Sequence, residues 1–221
     1  MTIAFVAGAA AVNTTAGINT TGANLVVIVV AGSAADTWSV SDSKSNTWTA
    51  LTRYGANPAG IRLYYCYNPT VGSGHTFTAT PTYNAVAVAA YSGAASAPFD
   101  VETGSYSIVN GTSWQPGSIT PTQNNCVVVS GMELGGNGSS PTIDSSFTKR
   151  ASVDGVYSVS YGAAIADLIQ TTASATNPTW SWTNNSNARA GAHASFKAAA
   201  SGSIPYWAFT GNNNVIGVGV N

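Results

Sequence analysis

Apolar residues along the chain occur in short runs that are separated by clusters of Gly, Pro, Asn and Ser. No long stretch has the periodicity of an amphipathic helix, and β-branched and aromatic residues dominate the runs, which is typical of a sandwich or barrel. Residues 25–30 are continuously apolar, so they are predicted to form a central strand that is covered on both faces. Further strands are predicted at residues 1–12, 61–67, 76–80 and 85–91.

Two alternating runs, residues 38–40 and 47–51, flank a polar segment at residues 42–46. Alternating runs on either side of an Asp- and Ser-containing turn predict a β-hairpin. Asp42, at the start of this turn, and Asp144, in a similar segment of the second half, are expected to bond backbone N–H groups.

The second half of the chain repeats the order of elements of the first half. The segment from Asn24 to Val27 is answered by residues 125–128, and residues 40–43 are answered by residues 143–146. Residues 77–79 and 87–91 likewise match residues 180–182 and 191–196. A period of about a hundred residues is too long for a solenoid or a propeller blade, so it indicates two similar sets of strands.

These patterns predict an all-β fold, an antiparallel two-sheet β-sandwich of the jelly-roll or a related Greek-key type. Residues 1–200 are expected to be one sandwich, with pseudo-repeat halves at about 1–97 and 118–200. Two separate small domains are the alternative. Residues 98–117 are predicted as an irregular crossing between the halves, and residues 201–221 as a C-terminal arm that folds back or docks on a neighbouring subunit.

Charged residues make up only 7% of the chain and the net charge is −1, so neither nucleic acid nor an anionic membrane is an expected partner. A net charge near zero favours association. Lysine, a common guard against edge-to-edge strand pairing, is present only as Lys44, Lys149 and Lys197. Some sheet edges are therefore expected to be covered, with other subunits as one means.

Catalytic and metal-ligating residue types are few. The two histidines, His75 and His193, adjoin no nucleophile motif and are expected to be structural. The two glutamates, Glu102 and Glu133, have no spacing that supports a glycosidase pair, and Asp100 with Glu102 would supply too few oxygens for calcium. The residue types and their spacing therefore predict no catalytic residue, no cofactor and no metal.

The two cysteines, Cys66 and Cys126, lie in separate strand-like runs. They leave two alternatives open, a disulfide or two buried thiols. Neither cysteine has a His or Cys partner at metal-ligand spacing, which disfavours zinc.

Aromatic residues are abundant for so polar a chain. Trp180 and Trp182 lie two residues apart on one face of a strand, which favours core packing over ligand contact. Trp38 and Trp48 are expected to pack across the predicted hairpin. Aromatic residues in irregular or terminal segments are the candidates for an exposed interface, with core packing as the alternative for the tryptophans: Trp114, Tyr206, Trp207 and Phe209.

Several of these segments together resemble a known kind of domain. They are residues 24–27, 40–43, 46–49, 63–65 and 88–93. The chain resembles, over roughly residues 20–198, a β-sandwich domain of phage virion structural proteins that also occurs as a module in bacterial extracellular proteins. The shared motifs are core strands and a turn, so the resemblance implies architecture and carries no catalytic residue.

The expected function is that of a non-catalytic phage virion surface protein, a capsid decoration or cement protein or a head fibre. Its expected partners are the major capsid protein or other virion proteins and further copies of itself, as a homo-oligomer such as a trimer, at the virion surface. The alternative is a carbohydrate-binding module or receptor-binding adhesin that recognises cell-surface glycans. An enzyme and an extracellular filament or coat subunit are further alternatives.

Overall fold

The structure, a computed structural model, describes residues 2–156, 159–186 and 188–200. These residues form fifteen β-strands and no helix, so the predicted all-β class is confirmed. None of the described residues belongs to a helix that could cross a membrane. The strands, in chain order, are β1 (Ala4–Val12), β2 (Leu25–Gly32), β3 (Ser39–Asp42), β4 (Thr49–Ala56), β5 (Ala59–Tyr67), β6 (Phe77–Thr80), β7 (Ala85–Ser92), β8 (Ala94–Ser107), β9 (Gly111–Trp114), β10 (Cys126–Leu134), β11 (Ser139–Ile143), β12 (Thr148–Val153), β13 (Gly162–Gln170), β14 (Trp180–Ser186) and β15 (Arg189–Ala198).

Two five-stranded antiparallel sheets have the same strand order. The first central sheet runs β1-β7-β2-β5-β4, and the second central sheet runs β8-β15-β10-β13-β12. Two smaller sheets repeat in the same way: β3 pairs with β6 in the first outer sheet, and β11 pairs with β14 in the second outer sheet. Only β9, which pairs with β14, has no counterpart in the first half. The predicted pseudo-repeat is therefore a repeat of topology.

The four sheets form four layers, with the two central sheets face to face in the middle. Strand β2 packs on β10, β1 packs on β12, and β4 packs on β8. By strand order, β1 corresponds to β8 and β4 corresponds to β12. Each half therefore places its equivalent of β1 on the other half's equivalent of β4, as in an isologous pair related by a two-fold axis. The halves therefore meet as two subunits of a symmetric dimer would, within one chain.

Three hydrophobic clusters fill the spaces between the layers. The cluster between the central sheets includes Val27 and Val29 of β2 with Val127 and Val129 of β10. The alternate residues of the same strands point outward, into a second cluster under the first outer sheet and a third under the second outer sheet. All eight residues of β2 are buried. The prediction of a central strand covered on both faces is therefore confirmed, and its continuous apolar run has a physical reason.

The pairing register corrects the sequence alignment of the halves by one residue. Leu25 lies opposite Tyr91, and Val127 lies opposite Phe196, so Leu25 corresponds to Val127 rather than to Cys126. A one-residue slip moves every side chain to the other face of a strand. The extra residue of the second half lies beside Asn125, whose φ of 59° places it in the left-handed region just before β10.

The predicted hairpin across residues 38–51 is wrong. Strand β3 pairs with β6 in the first outer sheet, whereas β4 pairs with β5 in the first central sheet. The turn therefore joins two layers of the sandwich. Asp42 organises it by accepting hydrogen bonds from the backbone N–H of Lys44 at 2.7 Å and from the indole of Trp48 at 2.9 Å. Its predicted role in the turn is confirmed.

Residues 98–117, predicted as an irregular crossing, instead contain most of β8 and all of β9. The second central sheet begins with β8 at Ala94, ahead of residue 118. Strand β8 is an edge strand whose residues are mostly only half-buried, and for this reason its sequence lacks the apolar signal of a central strand. The predicted arm at residues 201–221 lies outside the described residues.

Every edge strand of the central sheets carries an irregularity. Strands β1, β4 and β12 each have a register shift, and the pairing of β8 with β15 shifts twice. Such bulges obstruct edge-to-edge pairing with another sheet. The scarcity of lysine therefore does not by itself require a second subunit to cover these edges.

Two equivalent aromatic pairs mark the ends of the central interface. Phe5 and Tyr91 meet edge to face at 6.1 Å, and their counterparts Phe99 and Phe196 do so at 6.4 Å. Arg150 of the second half lies over the ring of Phe5 at 4.2 Å. Phe99 is instead stacked on a residue of the first half, Tyr65. Both aromatic pairs thus contact the other half. The contact described at Phe5 includes a charged side chain, that of Arg150, whereas the contact described at Phe99 is with the ring of Tyr65.

The charge of Arg150 is neutralised by Asp167 within the same interface. The guanidinium donates from Nε to Asp167 Oδ2 at 2.8 Å and from Nη2 to Oδ1 at 2.9 Å, a bidentate pair. The Asp167 side chain is 2% exposed. Removing the cation would therefore leave a buried carboxylate without a counter-charge.

We expect Arg150→Leu, which copies its first-half counterpart Leu51, to lower the free energy of unfolding by about 3 kcal/mol. The double variant Arg150→Leu/Asp167→Leu should recover most of that loss because no unpaired charge remains. Urea unfolding of the single and double variants measures both effects. A double variant as unstable as the single one would contradict this account of the interface.

Candidate functional site

His75, one of two histidines considered for catalysis, lies in a saturated hydrogen-bond network. Its Nε2 lies 3.1 Å from Asp42 Oδ1, and its Nδ1 lies 2.9 Å from Thr20 Oγ1. His75 and Thr20 are each 0% exposed. The order hydroxyl–imidazole–carboxylate resembles a hydrolytic triad, but the hydroxyl is closed to any substrate. This histidine therefore joins β6 to the Asp42 turn.

His193 is buried under the second outer sheet without a hydrogen bond. Neither ring nitrogen has a partner, and the nearest aromatic ring described is that of Phe147, with centroids 6.1 Å apart. Burial lowers the pKa of His193 from 6.5 to about 3. Val88 is its counterpart in the first half, by the register that pairs Tyr91 with Phe196. The imidazole thus fills the place of an apolar side chain.

The two glutamates do not face each other. Glu102 lies opposite Ala194 of β15, and Glu133 lies opposite Ala190 on the other side of that strand. This places them about 13 Å apart along the strands and about 10 Å apart across them, which is too far for a glycosidase pair. Glu102 also accepts hydrogen bonds from both the backbone and the hydroxyl of Thr52.

Asp100 and Glu102 do not form a calcium site together. Asp100 accepts hydrogen bonds from Thr122 and from the hydroxyl of Ser195, on the outer face of the second central sheet. Glu102 bonds to Thr52 of the facing sheet, so the two carboxylates lie on opposite faces of β8. Among the described residues, no three His, Cys, Asp or Glu side chains lie close enough to hold a metal ion.

The cysteines are two separate buried thiols. Both are free, and they lie at the outer faces of different central sheets, with the central interface between them. Burial raises the pKa of each thiol, that of Cys126 to about 11. Both thiols are therefore protonated and unreactive at neutral pH.

The tryptophans of the pseudo-repeat belong to the core, as the spacing predicts. Trp180 is fully buried and donates from its indole to the hydroxyl of Ser130 at 2.8 Å. Trp182 and Trp38 are also buried. Trp48 packs edge to face on Phe77 at 6.1 Å. Its aromatic partner is therefore Phe77 of the first outer sheet and not Trp38, which the predicted hairpin would have placed across from it.

Trp114 is the only one of the four candidate interface residues within the described part of the chain. Tyr206, Trp207 and Phe209 lie outside it. Trp114 ends β9 and lies opposite Trp180 of β14. Its indole donates to the carbonyl of Ser105 at 3.2 Å. This bond fixes the ring between the second outer sheet and the edge strand β8.

A surface groove of about 590 Å³ opens beside Trp114. Tyr106, 48% exposed, supplies further aromatic surface. Gln115 crosses part of the groove and donates to the hydroxyl of Thr179 at 3.1 Å. The groove is lined by Ser105, Tyr106, Ser113, Trp114, Thr179 and Arg189, together with Gln115.

Arg189 forms the charged part of this groove. Its guanidinium lies over the ring of Trp114, with the Cζ atom 5.0 Å from the ring centroid. Its Nε and Nη1 atoms are buried and have no hydrogen-bond partner. Arg189 is not predictable as a site residue from the sequence, because nothing in the strand pattern places it beside a tryptophan 75 positions earlier.

A second cavity, of about 440 Å³, lies at one end of the central interface. In the last layer of the interface beneath it, the three inner strands of each sheet contribute one ionisable side chain between them. By strand pairing, that layer consists of Ala31, Ile61, Ala85, Glu133, Ala163 and Ala190. Tyr83 and Tyr161, two residues further along their chain segments, line the cavity itself.

Glu133 is buried in this layer without a hydrogen-bond partner for either carboxyl oxygen. Desolvation raises its pKa well above the ordinary value, which favours the neutral carboxyl form. The carboxyl oxygens are closed to solvent, and a ligand in the cavity would meet the tyrosines first. The groove beside Trp114 is the more accessible candidate site.

Comparison of the chain with protein-family models, with curated proteins and with solved structures found no significant match. The function therefore has to be argued from the groove and its chemistry.

His193→Val should make folding stability less sensitive to acid. Because the folded pKa of about 3 lies below the unfolded value of 6.5, the unfolded chain takes up this proton first. Protonation of this histidine therefore costs no stability above pH 6.5, and stability is lost at about 1.4 kcal/mol per pH unit as the pH falls from 6.5 toward 3. The variant, which copies Val88, lacks this loss.

Urea unfolding at several pH values between 4 and 7 measures the difference between His193→Val and the unmodified protein. Parallel pH profiles for the two proteins would show that His193 is not a buried neutral group.

Proposed function

We propose that the protein is a non-catalytic binding protein of the virion surface that recognises a glycan through the groove beside Trp114. The observation that carries this proposal is the composition of the groove. Aromatic surface from Trp114 and Tyr106 adjoins hydroxyl and amide groups on Ser113 and Gln115. A sugar ring has an apolar C–H face and hydroxyls at its rim, and it needs both kinds of contact.

The non-catalytic part of the proposal is supported by how the reactive residue types are used. His75 and Asp42 hold a turn, His193 replaces an apolar side chain, and the oxygens of Glu102 bind Thr52. Within the described residues that line the groove, Arg189 is the one ionisable group other than a tyrosine, and an arginine does not act as a general acid or base at neutral pH.

The virion setting is supported by the resemblance over residues 20–198 and by the low charge of the chain. With 7% charged residues, contacts to a target come mainly from aromatic, hydroxyl and amide groups. The bulged edge strands offer poor templates for pairing with the sheet of another protein. The geometry therefore favours a receptor-binding adhesin over a capsid decoration or cement protein.

We expect Tyr106→Ala and Trp114→Ala each to weaken glycan binding roughly tenfold, which corresponds to about 1.4 kcal/mol of lost aromatic contact. Titration with bacterial capsular and cell-wall polysaccharides, followed by tryptophan fluorescence, measures the loss. Tyr67→Ala is the matched control, because Tyr67 is a comparably exposed tyrosine, 37%, on β5 of the first central sheet. Unmodified protein that binds no polysaccharide in the panel would contradict the proposal.

Assembly on the capsid is the second candidate function. The connection between β8 and β9 carries Ile108 and Val109, which are 60% and 65% exposed. Two adjacent, highly exposed aliphatic side chains at a loop tip are a typical contact for a protein partner.

The double variant Ile108→Ser/Val109→Ser tests assembly through this tip. We expect the unmodified full-length chain to be an oligomer by light scattering and the variant to be dissociated, because the buried apolar contact is lost. Val156→Ser, at a position that is 53% exposed, is the control. A monomeric unmodified chain would exclude self-assembly through this tip.

A further inference from the structure

We infer that the groove beside Trp114 selects a sugar that carries a carboxylate, and that Arg189 binds this carboxylate. The inference rests on the proposed glycan-binding function and names the class of glycan. Arg189 is the first residue of β15 and lies opposite Ser107 of β8. It therefore projects at the junction of the edge strand, the second outer sheet and solvent, where a ligand in the groove would meet it.

Arg189 differs from the other arginines in having no acceptor. Arg150 is paired with Asp167, Arg53 donates to the carbonyl of Asp36 at 2.8 Å, and Arg62 donates to the carbonyl of Leu51 at 2.6 Å. The Arg189 side chain has no ion pair with the residues that the structure describes, and its Nε and Nη1 atoms have no hydrogen-bond partner. Two N–H-bearing atoms without an acceptor are unfavourable in a half-buried guanidinium. Because Nε and Nη1 are closed to solvent, a ligand in the groove would meet the guanidinium at Nη2, and an anionic ligand would offset the charge of the whole group.

Gly111 leaves the space that this guanidinium occupies. A Cβ atom built on Gly111 would lie 1.7 Å from Nη1 of Arg189, so no larger residue fits there unless the arginine moves. The φ of Gly111 lies outside the left-handed region, which means that the backbone itself does not require glycine. The absence of a side chain at this position therefore leaves room for Arg189 to lie over Trp114.

The charge and shape of the groove favour a sugar acid over a simple anion. An arginine binds carboxylate and phosphate equally readily. The other groove groups, however, are aromatic rings, hydroxyls and an amide, which match a ring with several hydroxyls. Since no described acid lines the groove, the positive charge of Arg189 is not cancelled locally. A uronic acid unit combines the ring, the hydroxyls and the carboxylate.

Methyl β-D-glucuronide and methyl β-D-glucoside form a matched pair of probes, because they differ only in carboxylate against hydroxymethyl. We expect calorimetric or NMR titration to give about tenfold tighter binding of the glucuronide to the unmodified protein. This preference should fall roughly two- to threefold between 0.05 M and 0.5 M NaCl, since salt screens the ion pair.

Arg189→Gln is expected to bind both glycosides equally, at the level of the glucoside. Gly111→Ala should lose much of the preference while keeping every groove side chain, because it displaces the guanidinium. Arg53→Gln is the matched control. Arg53 also lies over a tryptophan, Trp38, at 5.3 Å, but its guanidinium already donates a hydrogen bond to the carbonyl of Asp36. It should keep the full preference.

The outcomes distinguish failure of the carboxylate inference from failure of the proposed glycan binding. Equal binding of the two glycosides by the unmodified protein would overturn the carboxylate inference and leave glycan binding standing. Binding of neither glycoside, and of no polysaccharide in the panel, would contradict both. Competition by acetate or inorganic phosphate as strong as that by the glucuronide would reduce the site to a simple anion site and overturn the inference. If Arg189→Gln fails to fold, Arg189→Lys keeps the charge without the planar fork and should show an intermediate preference.

Discussion

The burial of the inner faces of the two central sheets is the constraint on which the rest of the structure depends. Each central sheet has one face covered by its own small outer sheet and one face covered by the other half. A half on its own would expose the inner faces of β2, β5 and β7 to water, at roughly 1.5 to 3 kcal/mol for each large aliphatic side chain. The two halves therefore need each other in the way that subunits of an obligate dimer do.

The pseudo-two-fold relation makes the differences between the halves informative. At equivalent places the first half has apolar residues where the second half has ionisable ones: Ala31 and Glu133, Val88 and His193, Leu51 and Arg150. In the same way, Tyr65 of the first half corresponds to the acid Asp167. Both halves satisfy the same packing geometry, so packing alone does not require these ionisable side chains. The second half is also the one with the additional strand β9, which brings Gly111 and Trp114 beside β15. The candidate site thus lies where the symmetry is broken.

Local pattern was sufficient to predict the fold class and the central strand. The apolar run at 25–30 and its repeat at 126–129 are local signals, and burial on both faces explains them. The hairpin at 38–51 was mispredicted because alternation identifies strands but not their partners, and a turn between layers has the same residues as a turn between paired strands. The sequence alignment of the halves is wrong by one residue for a similar reason. Asn24 and Asn125 match in sequence, but the pairing register makes Leu25, one residue after Asn24, the counterpart of Val127, two residues after Asn125.

The groove depends on pairings that no local pattern encodes. Arg189 reaches Trp114 only because β15 pairs with β8 while β14 pairs with β9, which brings the ends of four strands to one place. Stacking on the indole holds the guanidinium in one orientation before any ligand arrives, so less conformational freedom is lost on binding. In a chain with so few charges, a single fixed cation without a counter-charge contributes a large share of the local field. Discrimination between a sugar acid and its neutral counterpart can therefore rest on one residue, and the glycine beside it leaves the space that its guanidinium occupies.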